Sequence, residues 1–582
     1  MLMFTFSSCR CYWCAVLSNI TRLLRLALCA AAVLTTHAQG EQLTAEEVEL
    51  IMAQAVTEAS RTNRNAIIAI TDREGFLLSL WDVGNRIPTP LPAFSLTDKA
   101  IIKLYSEVAG AITRAGTAAV LSSDQNAFTS RTAGFIIQQH FPPGIRNTTP
   151  GPLVGVGLSN LFYSDVNRVK LIPPGFDGSA SVSPVVSPGV RAPAFPLSSL
   201  NDSPGGVPLY KGGHLVGAIG VTGDSSPTDL TPAGAIFFDE TQKKATTGFK
   251  EGEDTDEYVA LAGQTNFRPA EEILATNVLI NGIRIPYVHP RPVDIQDVDD
   301  VQDLGRIGRP IDIPLGPGSV VRGNPQASPD AYPYPVGRFG GYEGEIRFPF
   351  RDDPLRKDPK RALIGKAGRL SAADVKDIIS AAADRALHTR AGIRLPVGTA
   401  AKVFISVVNN PNRAGEAPEI LGVFRTNEAT MFSWDVSVQK ARTAVFFSNR
   451  QLAMSCRTVG FLAQRFYPPG LDGRSHGPLF GFQEAVSLRQ RPLVDQRKGA
   501  APFPGNPNLP NGITIFPGGF PLYRDGYLVG AIGVSGDGVD QDDIITASGC
   551  KDFLAPPKIR ADQYIYRGAR LPYGKFPRDP EQ

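Results

Sequence analysis

The sequence predicts an α+β protein made of two tandem domains, each an antiparallel sheet flanked by helices. From Pro517 to Asp537 it reads PGGFPLYRDGYLVGAIGVSGD, in which an Asp-Gly pair separates two apolar runs and so indicates a β-hairpin. Nearly the same text, PGGVPLYKGGHLVGAIGVTGD, stands from Pro204 to Asp224, which indicates a duplication. A tight turn between strands makes them antiparallel, so a parallel doubly wound sheet is disfavoured.

Residues 1–38 have the features of a secretory signal. Three arginines lie in this stretch, an apolar run follows from Leu26 to Leu34, and Ala38 supplies a small residue at the exit. The alternative is a transmembrane anchor, but that would need about 20 apolar residues and the run is shorter. We therefore expect a periplasmic or secreted protein with no integral membrane segment after processing.

Removal of the signal leaves a protein without net charge. The full chain has a formal charge of +3, and residues 1–38 contain three arginines and no acidic residue. A neutral protein offers no electrostatic basis for binding nucleic acid or an anionic membrane.

Cysteine use permits two readings. Four of the six cysteines lie within residues 1–38, so the spacing of Cys11 and Cys14 is not interpreted as a metal or redox motif. Cys456 and Cys550 remain, and they can form a disulfide in an oxidising compartment or stay as two buried thiols.

Each predicted domain opens with an amphipathic helix followed by extended segments. Thr44 and Ser371 are N-cap residues, and apolar residues at helical spacing follow each of them. The expected strands are Ala66–Thr71 with Phe76–Trp81 in the first copy and Val403–Val408 with Ile420–Phe424 in the second.

Equivalent positions of the two copies differ in residue number by a constant amount within each segment. The difference is 326 in a central helical region, 313 in the hairpins and 286 in the last segments. Within the hairpin strand, Gly530 and Gly533 would let another backbone or a ligand come close. The predicted domains are residues 43–287, which carry insertions, and residues 370–573, with a tail at 574–582.

The stretch 288–367 between the two copies is rich in Pro, Gly and Asp and has little periodicity. It is either a linker or a strap packed along both domains. Its tyrosines and phenylalanines favour the strap, because a free linker seldom carries so many aromatic residues.

The combination of Lys440–Ala444 with Pro517–Tyr523 and Gly526–Gly536 resembles the GlcG/HbpS-like haem-binding family, which includes the C-terminal domain of PduO-type cobalamin adenosyltransferases. The resemblance covers both copies and is closer in the second. It implies a helix-flanked antiparallel sheet, assembly into homo-oligomers and, for this chain, haem as the cofactor. It also implies a role in haem sensing, storage or degradation.

Cations and hydroxyls retained in both copies are the candidate ligand-binding residues. A helical arginine can hold a carboxylate in a bidentate fork, either a haem propionate or a small organic acid, and a structural salt bridge or a clamp on a carbonyl is the competing reading. The candidates are Arg114, Thr117 and Arg131 in the first copy and Lys440, Thr443 and Arg457 in the second.

Histidine is the usual ligand for haem iron or another metal. His140 and His476 lie near Pro-Pro-Gly segments in matching regions and are the candidate metal ligands. Neither is retained in the other copy, since His140 aligns with Phe466 and His476 with Pro150, so a symmetric pair of histidine sites is not expected.

Three functions remain open at this level. The first is an exported protein that binds haem or a related flat anionic ligand between helix and sheet. The second is an enzyme acting on a small organic acid or aromatic compound, although the sequence contains no recognisable catalytic motif and no catalytic residue is assigned. The third is a non-catalytic assembly scaffold.

Overall fold

The computed structural model describes residues 42–95, 98–137, 141–142, 151–153, 200–201, 203–223, 255–289, 301–316, 319–471, 473–482, 508–509 and 512–575. These residues belong to one compact unit, 42–582. The predicted signal 1–38 and the candidate ligand His140 lie outside the described residues.

The first half contains four α-helices and six strands among its described residues. The helices are α1 (Ala45–Thr62), α2 (Lys99–Leu121), α3 (Ser130–Ile136) and α4 (Thr255–Gly263). The strands are β1 (Ile67–Asp72), β2 (Leu77–Asp82), β3 (Gly206–Lys211), β4 (His214–Thr222), β5 (Leu279–Ile280) and β6 (Ile283–Arg284).

The segment between the halves forms short strands, and the second half then repeats the pattern of the first. The connecting strands are β7 (Arg309–Pro310), β8 (Ile313–Gly316), β9 (Ser319–Val321), β10 (Val336–Phe339), β11 (Tyr342–Phe348), β12 (Leu363–Ile364) and β13 (Ala367–Gly368). The helices of the second half are α5 (Ala372–Leu387), α6 (Ser433–Phe446), α7 (Cys456–Leu462) and α8 (Val539–Gly549). Its strands are β14 (Phe404–Asn409), β15 (Ile420–Thr426), β16 (Gly519–Arg524), β17 (Tyr527–Ser535), β18 (Ile565–Tyr566) and β19 (Ala569–Arg570).

The two opening helices begin at the predicted caps. Thr44 accepts a hydrogen bond from the Glu47 amide while Glu47 accepts one from the Thr44 amide, which is a capping box. Ser371 and Asp374 form the same reciprocal pair at the start of α5. Each cap satisfies amides that a helix start leaves without intrahelical partners.

Two antiparallel sheets form the centre of the molecule. The first has the order β3-β4-β1-β2-β7, and the second has the order β10-β11-β15-β14-β17-β16. Four strands have the same order in both sheets. They are β3-β4-β1-β2 in the first sheet and β16-β17-β14-β15 in the second. The mixture of helices and antiparallel sheet confirms the α+β class. The limits of the two domains stay a prediction.

The hairpin that indicated the fold has the predicted tight turn. Arg524 pairs with Tyr527 across it, and the two residues between them, Asp525 and Gly526, have φ values of 52° and 76°. Positive φ at both turn residues matches the right-handed twist of the flanking strands. In the first half Gly212 and Gly213 occupy the same turn with φ values of 58° and 86°.

The hairpin glycines allow a helix to lie directly on the sheet. A Cβ added at Gly533 would clash with the carbonyl oxygen of Ser437 on α6, and one added at Gly220 would clash with the carbonyl oxygen of Ala111 on α2. The close neighbour at each glycine is therefore helix backbone.

The segment between the halves pairs with both sheets. β7 lies beside β2 at the edge of the first sheet, and β11 lies beside β15 in the second sheet, with β10 at the edge. Tyr332 donates a hydrogen bond to Asp72 of the first half at 2.6 Å, and Tyr334 packs against Trp434 of the second. Its aromatic residues thus join the packing of both halves.

Two open points about the chain are answered in part. Cys456 and Cys550 are both buried and free, which is the two-thiol reading of the sequence. Within the described part of the chain, no helix combines the length and apolar character needed to cross a membrane.

Candidate functional site

Arg114 on α2 is fully enclosed and paired. One guanidinium nitrogen donates to Asp256 of α4 at 2.6 Å and also to the backbone oxygen of Val221 on β4. The side chains of Arg114 and Asp256 are 2% and 1% exposed. The arginine therefore joins helix α2 to helix α4 across the end of the sheet.

Arg131 on α3 holds the neighbouring carboxylate. Its Nε lies 2.9 Å from one oxygen of Glu257, and its Nη2 lies 2.9 Å from the other, so the contact is bidentate. The backbone amide of His289 donates to the same carboxylate at 3.0 Å. Both ionic side chains are buried.

Lys440 on α6 repeats the contacts of Arg114 with a smaller cation. Its Nζ donates to Asp542 of α8 at 2.8 Å and to the backbone oxygen of Val534 on β17 at 2.7 Å. Burial raises the pKa of Asp542 to about 6, and the ammonium group of Lys440 opposes that rise. Phe516 lies under the ammonium group, 5.1 Å from the ring centre.

Arg457 on α7 corresponds to Arg131 but reaches the surface. Its Nε donates to Asp543 at 2.7 Å and its Nη2 donates to Asp540 at 2.6 Å. The side chain is 23% exposed, and Lys575 adds a second cation on Asp540 at 2.5 Å. This pair is therefore the most solvated of the four.

Sequence reasoning selected the cations and missed their partners. Asp256 and Glu257 lie at the start of α4, and Asp542 and Asp543 lie near the start of α8, separated by the offset of 286 that relates the last segments of the two copies. Matching acidic residues at that offset was the signal that could have found them.

The two candidate threonines serve backbone groups. Thr443 accepts a hydrogen bond from the Thr514 amide at 3.0 Å and donates to the Gln439 carbonyl at 2.8 Å. Thr117 accepts from the Asn201 amide at 2.7 Å. Both threonines are fully buried, and Thr514 fills the space beside Thr443. A ligand role for the six candidates stays a prediction, and the contacts described here are internal.

His476 lies on the surface. Its Nδ1 is 2.5 Å from the carbonyl oxygen of Arg465, and its ring stacks on Phe480 with 4.2 Å between ring centres. Within the described ranges, no cluster of three or more histidine, cysteine, aspartate or glutamate side chains is arranged to hold a metal ion. A metal role for His476 stays a prediction.

A pocket of about 550 Å³ opens elsewhere in the second half. Its walls are the C-terminal end of α6, the loop between β14 and β15, the start of β17, and the turn between β12 and β13. Residues from each wall include Phe446, Arg450, Arg413, Pro418, Tyr527 and Ile364. Neither the position nor the lining was predicted, because the walls come from segments far apart in sequence.

The pocket combines aromatic surface with cations. The guanidinium group of Arg450 lies over the ring of Tyr527 at 4.5 Å. Among the described residues no carboxylate lies within ion-pair distance of Arg450. Glu416 is shared by Arg361 and Arg413, whose cations lower the pKa of its carboxyl. The arrangement can attract an anion with a flat apolar body.

Residues 370–551 match a family model. Its description is "Haem degrading protein HbpS-like". The match begins just before α5 and ends after α8, so it contains nearly all of the pocket lining. It leaves the first half of the chain unmatched.

Two solved structures are similar to part of the chain. The crystal structure of Klebsiella pneumoniae protein ORFY, of the family model DUF336, is 22% identical and covers 32% of this chain and 94% of that one, with a TM-score of 0.20. The crystal structure of a PduOC–haem complex is 21% identical and covers 31% of this chain and 93% of that one, also with a TM-score of 0.20. None of the curated proteins matches this chain.

Proposed function

We propose that this chain is an exported protein that binds haem or a related flat anionic ligand in the pocket of its second half. The observation that carries the proposal is the pocket of about 550 Å³ in which Arg450 lies over Tyr527 without a carboxylate partner among the described residues. The HbpS-like family match over residues 370–551 supports the same ligand class.

The pocket has the size and chemistry that such a ligand needs. Sites for small molecules and cofactors have volumes of about 300–1,000 Å³ and combine apolar walls with a few placed polar groups. Phe446 and Tyr527 offer apolar and aromatic surface to a planar ring, and Arg450 offers a cation to one of its carboxylates. A guanidinium group binds a carboxylate in two parallel hydrogen bonds.

The lining also bears on how iron would be held. Among the described lining residues there is no histidine, cysteine or methionine. We therefore propose that the chain holds the ligand by its ring and its carboxylates, and that haem and metal-free protoporphyrin IX bind with similar affinity.

Titration with hemin and with protoporphyrin IX tests the proposal, by absorbance and by quenching of protein fluorescence. We expect saturable binding of both ligands by the full chain and binding about tenfold weaker in the Arg450→Ala variant, a loss of about 1.4 kcal/mol. Arg322→Ala is the matched control, since it removes an exposed arginine that pairs with Asp312 outside the pocket. Absence of binding by either ligand at micromolar protein would rule the proposal out.

Export and location belong to the same proposal. The features of residues 1–38 support cleavage after Ala38 and release into the periplasm or the medium. Sequencing of the N-terminus of the protein recovered from cells and from the medium tests this, and an intact Met1 in all fractions would contradict it.

A non-catalytic scaffold is the second candidate function, and one observation favours it. The space beside Thr443 is filled by Thr514, whose hydroxyl donates to the Gln439 side chain at 2.5 Å. A ligand held between helix and sheet at this point would have to displace that pair. The titration separates the two candidates, because a scaffold binds neither haem nor protoporphyrin IX.

A further inference from the structure

The residues that line the pocket have counterparts in the first half, and the pairing of the strands in the two sheets shows where these counterparts lie. Phe404 pairs with Ser535 in the second sheet as Ile67 pairs with Thr222 in the first. With the offsets of 326 for the helices and 313 for the hairpins, the pocket wall 445–450 corresponds to residues 119–124. Tyr527 likewise corresponds to His214, which also opens a hairpin strand.

The second half itself covers this counterpart surface. The Phe432 amide donates to the carbonyl oxygen of Val120 at 3.2 Å, and the Leu395 amide donates to that of Gln125 at 3.1 Å. Arg394 reaches further in and donates to the Ser123 hydroxyl at 2.7 Å.

Exposure follows these contacts. Val120 is 7% exposed, whereas its counterpart Phe446 in the pocket is 38% exposed. Ser123 is buried at 2%, whereas its counterpart Asn449 is exposed. Equivalent positions therefore face protein in the first half and solvent in the second.

The charge at the two surfaces is reversed. The position of Arg450 is taken in the first half by Asp124, whose carboxylate lies 2.6 Å from His214. Glu428 from the second half lies beside it, with 3.4 Å between its carboxylate oxygen and the Asp124 amide. Burial and the nearby Glu428 raise the pKa of Asp124. An anionic ligand would meet carboxylates here where the pocket offers it a guanidinium group.

The covering contact depends on a loop that only one half has. Residues 388–403 connect α5 to β14 and carry Arg394 and Leu395, whereas residues 63–66 make the corresponding connection in the first half. The first half therefore has no loop of this length at this connection, and none of the described pocket-lining residues belongs to the first half, so among the described residues the contact is not reciprocal.

We infer that the chain binds one ligand, in the second half alone, because the second half occupies the equivalent surface of the first. In this arrangement the first half packs against the second half and binds no ligand itself. The statement about the ligand rests on the proposed function, and the statement about the occupied surface does not.

Stoichiometry tests the first statement. Titration of the full chain with protoporphyrin IX should reach one equivalent per chain. Arg450→Asp should weaken that binding at least about tenfold. The double variant Asp124→Arg with His214→Tyr, which carries the pocket residues at the counterpart positions, should still bind one equivalent. Two equivalents in the unmodified chain, or one equivalent that survives Arg450→Asp, would overturn the inference.

Hydroxyl-radical footprinting read by mass spectrometry tests the second statement without a ligand or a variant. With each peptide normalised to the chain unfolded in urea, we expect strong protection at Val120 and Ser123 and modification at Phe446 and Asn449. Equal modification of the two stretches would overturn the inference even if a ligand binds. Absence of ligand binding together with the expected footprint would refute the proposed function and leave the occupied surface supported.

Discussion

The two halves have ion pairs at equivalent positions, but these pairs differ in residue type and in exposure to solvent. In the first half, Arg131 and Glu257 are both almost completely enclosed. In the second, Arg457 is 23% exposed while its partner Asp543 is buried. The carboxylate at each site also accepts a backbone amide from the segment that follows, His289 in one half and Lys575 in the other.

This comparison shows that packing determines the position of the acidic residue in each ion pair and not the type of the cation. The acid is buried in both halves, since it lies at the start of a helix that packs on the sheet. The cation varies, with Arg114 against Lys440 at one site and an enclosed against a partly exposed arginine at the other. Because a buried carboxylate without a partner is costly, the fold needs a cation there whatever its type.

The largest expected effect is on the free energy of unfolding, and it differs between Arg131→Ala in the first half and Arg457→Ala in the second. Arg131→Ala leaves the Glu257 carboxylate buried with an amide as a remaining donor, and we expect a loss of about 3–5 kcal/mol in the free energy of unfolding. Arg457→Ala should cost less, because water replaces part of an exposed guanidinium group and Asp543 keeps two backbone amides. Urea unfolding followed by tryptophan fluorescence measures both, with Trp81 buried in one half and Trp434 in the other.

Arg322→Ala serves as the control for the loss of a cation, since that arginine is 68% exposed. Equal costs for Arg131→Ala and Arg457→Ala would show that exposure of the cation does not determine the strength of the pair.

The next effect is the pH dependence that Asp542 contributes to stability. Burial raises the pKa of Asp542 to about 6 in the folded protein. This carboxyl therefore binds a proton more tightly in the folded protein than in the unfolded chain. The stability from this group is complete below its ordinary pKa and is lost as the pH rises through 6. The change is about 2–3 kcal/mol between pH 4 and pH 7.

Asp542→Asn should remove that decline, so its free energy of unfolding should vary less than that of the unmodified chain between pH 4 and pH 7. Urea unfolding at four pH values measures the slope. The exposed Asp525→Asn in the hairpin turn is the control for a lost carboxylate. An unchanged slope in Asp542→Asn would contradict the assignment of the titration to this carboxyl.

Local and non-local features of the molecule were predictable to different degrees. The hairpin turn at Asp525 and Gly526 and the caps at Thr44 and Ser371 follow from a few adjacent residues, and the structure has them where the sequence indicated. The carboxylate partners lie more than 80 residues from their cations, as Asp542 does from Lys440, and the pocket is lined by five segments spread between residues 364 and 528. A single sequence carries no direct signal for such contacts, and here only the internal duplication could supply one.

A smaller effect tests the helix–sheet contact that both halves share. Gly533→Ala forces α6 away from β17, and we expect a cost of about 1–3 kcal/mol, with a similar cost for Gly220→Ala in the first half. Gly368→Ala is the control, because the nearest atom to an added Cβ there is a flexible Arg524 nitrogen at 3.8 Å. Thermal unfolding of the three variants measures the differences, and a cost in Gly533→Ala no larger than in Gly368→Ala would contradict the close contact.

The smallest effect decides what the threonines do. Thr443→Val removes a hydroxyl that accepts from the Thr514 amide, and a single internal hydrogen bond contributes about 1 kcal/mol to stability. Thr117→Val removes the corresponding bond to Asn201, so we expect a similar loss from the two variants. If both hydroxyls only support the backbone, neither variant changes the affinity for protoporphyrin IX, since neither threonine is among the residues that line the pocket. A loss of affinity in Thr443→Val alone, at unchanged stability, would move the binding site back to the space between helix and sheet.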